Sequence, residues 1–135
     1  MVFFYVMFIS DFRSSTPQFE VESITETKAA PIIPSEKLTV QFRTEYGDVV
    51  VNLRMDQAPL TVEHFIRLID LGFYTSDCGF YRAESGVLVQ GGGVKLDKSQ
   101  KVSLLNNIPL ENGLSNVRGT LAMAHGVDVN SGNTE

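Results

Sequence analysis

The chain has 135 residues, 43% of them hydrophobic and 20% charged, which suits one folded domain with a real core and is too little for two. Eleven Lys and Arg against sixteen Asp and Glu give a formal net charge of -5, so the basic footprint of a nucleic-acid binder is missing and no nucleic-acid partner is expected. A single cysteine, Cys78, excludes an internal disulfide, and His64 and His125 stand too far apart for a Cys/His zinc cluster, so neither a metal nor a cofactor is expected.

Residues 1–10 are nearly all apolar or aromatic, until Asp11 and Arg13 break the run. Spanning a bilayer takes about 20 residues, and nothing basic precedes the run as it would in a secretory signal. Two readings stay open: the inner end of a truncated membrane anchor, or an arbitrary upstream stretch. The compartment stays open with them, among secretory, organellar and membrane-associated. Residues 11–36 hold five acids, two bases and three prolines (Pro17, Pro31 and Pro34) with little periodicity, and read as a disordered linker. The folded part is expected over residues 37–135.

From Lys37 the pattern changes. Leu38, Val40 and Phe42 alternate with Thr39, Gln41 and Arg43, a turn is expected at Tyr46-Gly47-Asp48, and Val49, Val51 and Leu53 alternate again. This predicts a β-hairpin. Pro59 suits a first helical position, Val62, Phe65, Ile66 and Ile69 follow at helical spacing as core residues, and Gly72 supplies the stop. One helix is predicted over roughly 59–71. Short apolar runs then recur at 80–82, 87–90 and 120–124, separated by Gly, Asn, Asp and Ser, which predicts an antiparallel sheet or barrel.

The stretch Phe80-Tyr81-Arg82-Ala83-Glu84-Ser85-Gly86-Val87-Leu88-Val89-Gln90-Gly91-Gly92 resembles the cyclophilin signature, in which Phe-His-Arg, a short turn, Gly and three mostly apolar residues lead to Gln-Gly-Gly. Ala58-Pro59-Leu60-Thr61-Val62-Glu63-His64-Phe65 resembles the family's helix start, and Gly119-Thr120-Leu121-Ala122-Met123-Ala124 its Gly-x-Leu-x-Met-Ala strand. The resemblance covers roughly residues 37–135. It implies a mainly β fold, a cyclophilin-like antiparallel β-barrel with a capping helix, incomplete at its C-terminal end. It also implies a peptidyl-prolyl cis/trans isomerase that assists protein folding, with proline-containing polypeptides as substrates and a monomeric state.

That reaction sets simple demands. The barrier to rotating an X-Pro amide is about 18 to 20 kcal/mol, and lowering it takes only groups that hold the twisted amide better than either planar form. Twisting localises a lone pair on the prolyl nitrogen, and a permanently charged guanidinium that donates a hydrogen bond there favours the twisted state. Arg82 is the candidate, and Gln90 is the second catalytic candidate by the resemblance, bonding the substrate backbone. Val87 and Leu88 would wall the proline pocket, Ala124, His125 and Gly126 would line the neighbouring groove, and Glu135 stands where the family has a Gln. Val87 replaces a Phe that packs on the proline ring, and His125 replaces an Asn whose backbone meets the peptide. Tyr81 replaces a His that is not a substrate contact in the family.

Other features read as inert. Gly91-Gly92-Gly93 lacks the Gly-Lys-Ser/Thr of a phosphate loop. Prolyl isomerisation moves no proton, which makes His125 a groove or surface histidine. Cys78 beside Asp77 in a polar stretch reads as an inert or redox-exposed thiol. The alternative function is a non-catalytic cyclophilin-like peptide-binding module or an inactive truncated fragment, and Val87 and Glu135 are the residues that favour it.

Overall fold

A computed structural model of the protein describes residues 5–6, 19–23, 38–75, 77–103 and 105–135. The expected hairpin is there. Strands β3 (Leu38–Thr44) and β4 (Gly47–Leu53) pair antiparallel without a slip, from Leu38 opposite Leu53 to Thr44 opposite Gly47. Successive side chains of a strand point to opposite faces. Val40 and Phe42 are therefore buried on one face, with their cross-strand partners Val51 and Val49 packed on the same core. On the other face Thr39 bonds Asn52 at 3.1 Å and Gln41 bonds Asp48 at 2.6 Å. The reversal falls at Glu45 and Tyr46, so Gly47 opens the second strand instead of standing in the turn.

Helix α1 (Pro59–Asp70) follows, with Pro59 in its first turn. Ala58 at the N-cap offers no side-chain acceptor. The carboxylate of Glu111, fifty residues on, takes that place: it accepts from Leu60 N at 3.1 Å, and from Thr61 N and Oγ1 at 2.7 and 2.8 Å. A negative group satisfying free N–H groups at the positive end of a helix is favourable twice over. The helix stops as expected. Gly72 takes φ +69°, its N–H reaches Ile69 O, and Phe73 N reaches Leu68 O, the paired bonds of a Schellman ending. The inward face buries Val62, His64, Phe65, Leu68 and Ile69, while Ile66 is half-buried. Phe65 stacks on Phe42 at 6.3 Å between ring centroids, so the helix closes over the β3–β4 face.

The second half supplies β5 (Cys78–Glu84), β6 (Leu88–Lys95) and the short β7 (Leu121–Ala122). Phe80 of β5 and Leu121 of β7 pack against the same core as Phe42 and Phe65. Two further strands come from before Lys37. Tyr5–Val6 forms β1, which lies between β6 and β7, and Phe19–Ser23 forms β2, paired with β3 from Phe19 opposite Thr44 to Ser23 opposite Val40. The strand orders are β5-β6-β1-β7 and β2-β3-β4, both antiparallel. The architecture is thus mainly β with one helix, as expected. The reading of residues 1–36 as an apolar start and a disordered linker is corrected for those two segments. A strand of two residues is too short to show any alternation inside the apolar run 1–10, which hides β1. The alternation Phe19-Glu20-Val21-Glu22 that marks β2 is only four residues long, among Ser, Thr and Pro. The rest of residues 1–36 lies outside the described residues, and with it most of the apolar run 1–10. Among the described residues no helix is long and apolar enough to cross a membrane.

Candidate functional site

Arg82 and Gln90 are cross-strand partners in the β5–β6 hairpin, and this hairpin is irregular. Phe80 stands opposite Gly91 and Arg82 opposite Gln90, so two steps along β5 match one along β6. Tyr81 is the extra residue, and a second shift lies between Cys78 and Phe80. Arg82 Nη1 donates to Gln90 Oε1 at 3.3 Å. Its Nε donates to Glu84 Oε1 at 2.9 Å, and its Nη2 pairs with the same carboxylate. The guanidinium is half-buried, with the ion pair on its outer side and the amide on its inner side.

Gln90 is 2% exposed and carries the inner part of the network. Its Nε2 donates to Glu135 Oε2 at 2.9 Å and also to the Tyr81 hydroxyl. That hydroxyl donates to Glu135 Oε2 at 2.5 Å. Burial first, then the bond to Glu135 and the charge of its carboxylate, hold the Tyr81 phenol far above its ordinary range, so it keeps its proton. The carboxylate of Glu135 is buried, with two donors converging on one oxygen. A buried charge needs such partners.

Glu135 reaches this depth because its segment is tied from several sides. Ala124 N donates to Glu135 O at 2.6 Å, the Tyr74 hydroxyl to Thr134 O at 3.1 Å, and His64 Nε2 lies 2.8 Å from Asn133 O. Room for it comes from the glycine run of β6: a Cβ on Gly93 would overlap the Glu135 side chain, and one on Gly92 would overlap the Thr134 carbonyl. That gives Gly92 and Gly93 a structural purpose, close approach of another segment.

The expected residues thus divide. Arg82, Gln90 and Glu135 meet in one network, and Ala124 joins it through its backbone. Leu88 is buried on the Gln90 side of β6, two residues away. Val87 lies in the turn that its own N–H closes to Glu84 O at 3.0 Å, and it is 51% exposed. His125 Nδ1 is 2.9 Å from Gly126 O, and Gly126 N donates to Ser131 Oγ at 2.7 Å, so these two residues are held within their own loop. Of the two readings of Cys78, inert or redox-exposed, burial favours the first, and the polar stretch expected around it is corrected: it is 1% exposed, on β5 and in the core. Burial is the main cause that pushes its thiol up, partly offset by Lys101, whose Nζ donates to the sulfur at 3.2 Å. Sequence reasoning missed Tyr81 and Glu84. Glu84 could have been found, since it stands two residues from Arg82 on the same strand, whereas Tyr81 enters only because the bulge turns it.

Comparison with known proteins follows the same residues. A family model described as cyclophilin type peptidyl-prolyl cis-trans isomerase/CLD matches residues 39–135. Peptidyl-prolyl cis-trans isomerase B of Escherichia coli is 41% identical over 87 residues, covering 63% of this chain and 52% of the relative. Peptidyl-prolyl cis-trans isomerase A of Dickeya dadantii is 37% identical over 89 residues, 63% of this chain and 45% of the relative. Peptidyl-prolyl cis-trans isomerase cyp18 of Streptomyces antibioticus is 38% identical over 95 residues, 69% of this chain and 56% of the relative. The chain spans about half the length of these curated relatives. No solved structure matches it significantly.

Proposed function

The chain belongs to the cyclophilin type peptidyl-prolyl cis-trans isomerase family, and from that premise we propose that it binds proline-containing polypeptides and catalyses rotation of their X-Pro bonds during protein folding. The observation that carries this reading is the Arg82–Gln90 pair: a half-buried guanidinium whose inner N–H rests on a buried amide. Rotation breaks no covalent bond and moves no proton, so the work lies in holding charge and shape. The Arg82 guanidinium donates to the prolyl nitrogen as its lone pair localises. A hydrogen bond from a charged donor is worth about 1.5 to 3 kcal/mol, and each 1.4 kcal/mol or so is a tenfold in rate. Gln90 bonds the backbone of the bound peptide, Leu88 and Val87 wall the proline side, and residues 124–126 with Glu135 line the neighbouring groove. The reaction calls for no metal or cofactor, and we read the working unit as a monomer.

A binding module without catalysis is the second reading, favoured by the exposure of Val87 and by the hold of Glu84 on two nitrogens of Arg82. One pair of measurements separates the two: catalysed cis/trans exchange of an Ala-Pro tetrapeptide followed by NMR, and the Kd of the same peptide. Arg82→Ala is expected to lower kcat/KM at least tenfold while Kd changes less, because the bond is stronger in the twisted state than in the planar one. Binding without catalysed exchange in the unaltered chain would establish the module instead.

A further inference from the structure

We propose that Tyr81 is a positioning residue of the site: displaced by the β5 bulge onto the Gln90 amide, its hydroxyl fixes which way that amide faces and so seats Arg82. The inference rests on the isomerase reading and deepens it. Without the bulge, neighbouring residues of a strand point to opposite faces, and Tyr81 would be turned away from Arg82. With it, one amide meets both: Oε1 of Gln90 faces the Arg82 guanidinium, and Nε2 faces the Tyr81 hydroxyl and the Glu135 carboxylate. A half-turn of the amide would set its NH2 against the N–H of Arg82 and its carbonyl against the carboxylate. Both contacts would be repulsive. The hydroxyl accepts from Gln90 and donates to Glu135, so it links donor to acceptor on the correct side only. Such a buried network is costly to leave half-made, which is what gives it leverage over Arg82.

Tyr81→Phe in the 135-residue chain tests this with two readouts. The side-chain amide signal of Gln90 in a nitrogen–proton NMR spectrum is expected to move and to lose its protection from solvent exchange, while those of Gln41 and Gln57 stay put. Exchange of the Ala-Pro tetrapeptide is expected to fall about tenfold in kcat, with KM changed less than twofold, the scale of one lost hydrogen bond. Tyr81→His, whose ring nitrogen can keep one of the two bonds but not both, is expected to restore the signal and the rate in part. An unmoved Gln90 signal overturns the inference whether or not the chain is active. So does a moved signal with unchanged kcat. If Tyr81→Phe does not fold and Tyr81→His does not restore folding, Tyr81 is a core residue and the proposal is wrong. An unaltered chain that shows no catalysed exchange, together with a Gln90 signal that responds to Tyr81→Phe, overturns the isomerase reading and leaves the hold of Tyr81 on Gln90 intact.

Discussion

The two central hairpins are built on opposite plans. In β3–β4 seven consecutive pairs run without a slip, and apolar side chains from both strands share one face. In β5–β6 the ladder slips twice, and the residues it gathers are Arg82, Gln90 and Tyr81, with a carboxylate brought in from Glu135. Regular pairing lays down area for burial, and the bulge re-aims a side chain that regular pairing would waste on the wrong face. Stability and chemistry are therefore expected to respond to different substitutions.

The largest expected effect on the regular side is that of Phe42→Ala. Phe42 is buried and stacked on Phe65, so its truncation is expected to cost about 3 to 5 kcal/mol in urea unfolding, with turnover per folded molecule unchanged. A loss under 1 kcal/mol would mean that the β3–β4 face is not the core. Next comes Glu111→Ala, which removes the remote cap of α1 and is expected to cost about 1 to 2 kcal/mol, again without loss of turnover. On the irregular side, Val87→Phe adds apolar surface at an exposed turn, where about 25 cal/mol per Å² is at stake. The expected result on titration is prolyl-peptide binding a few-fold tighter, with thermal stability hardly altered. Weaker binding would show that the proline side of the groove is not bounded by residue 87.

The same contrast explains what could be read before the structure. Alternation at Leu38, Val40 and Phe42 announces β3, and Pro59 and Gly72 bracket α1, because these signals are local: a face, a fixed φ, a left-handed residue. The pairing of Arg82 with Gln90 was accessible only through a motif, since nothing in strand periodicity brings those two together. What escaped depends on distant partners. Glu111 caps a helix fifty residues away, and β2 is a strand because β3 offers it an edge. Cys78 is buried although Ser76 and Asp77 precede it, since Phe73 and Tyr74, also in the core, stand close before it in the chain. Tyr81 escaped for the subtlest reason, because a single inserted residue in a ladder reverses the face of a side chain without any mark in composition.

The bulged hairpin is expected to carry the proposed chemistry while the regular one carries the fold. The direct test measures Tm and kcat/KM side by side for Arg82→Ala and Phe42→Val, with rates taken at a temperature where both variants are folded. Arg82→Ala is expected to lose at least tenfold in kcat/KM with Tm lowered by only a few degrees, since its ion pair is half-exposed and such pairs add about 0 to 1 kcal/mol. Phe42→Val is expected to do the reverse, with Tm clearly lowered and kcat/KM within twofold. An Arg82→Ala chain that melts early and still turns over its peptide at the unaltered rate would contradict the claim.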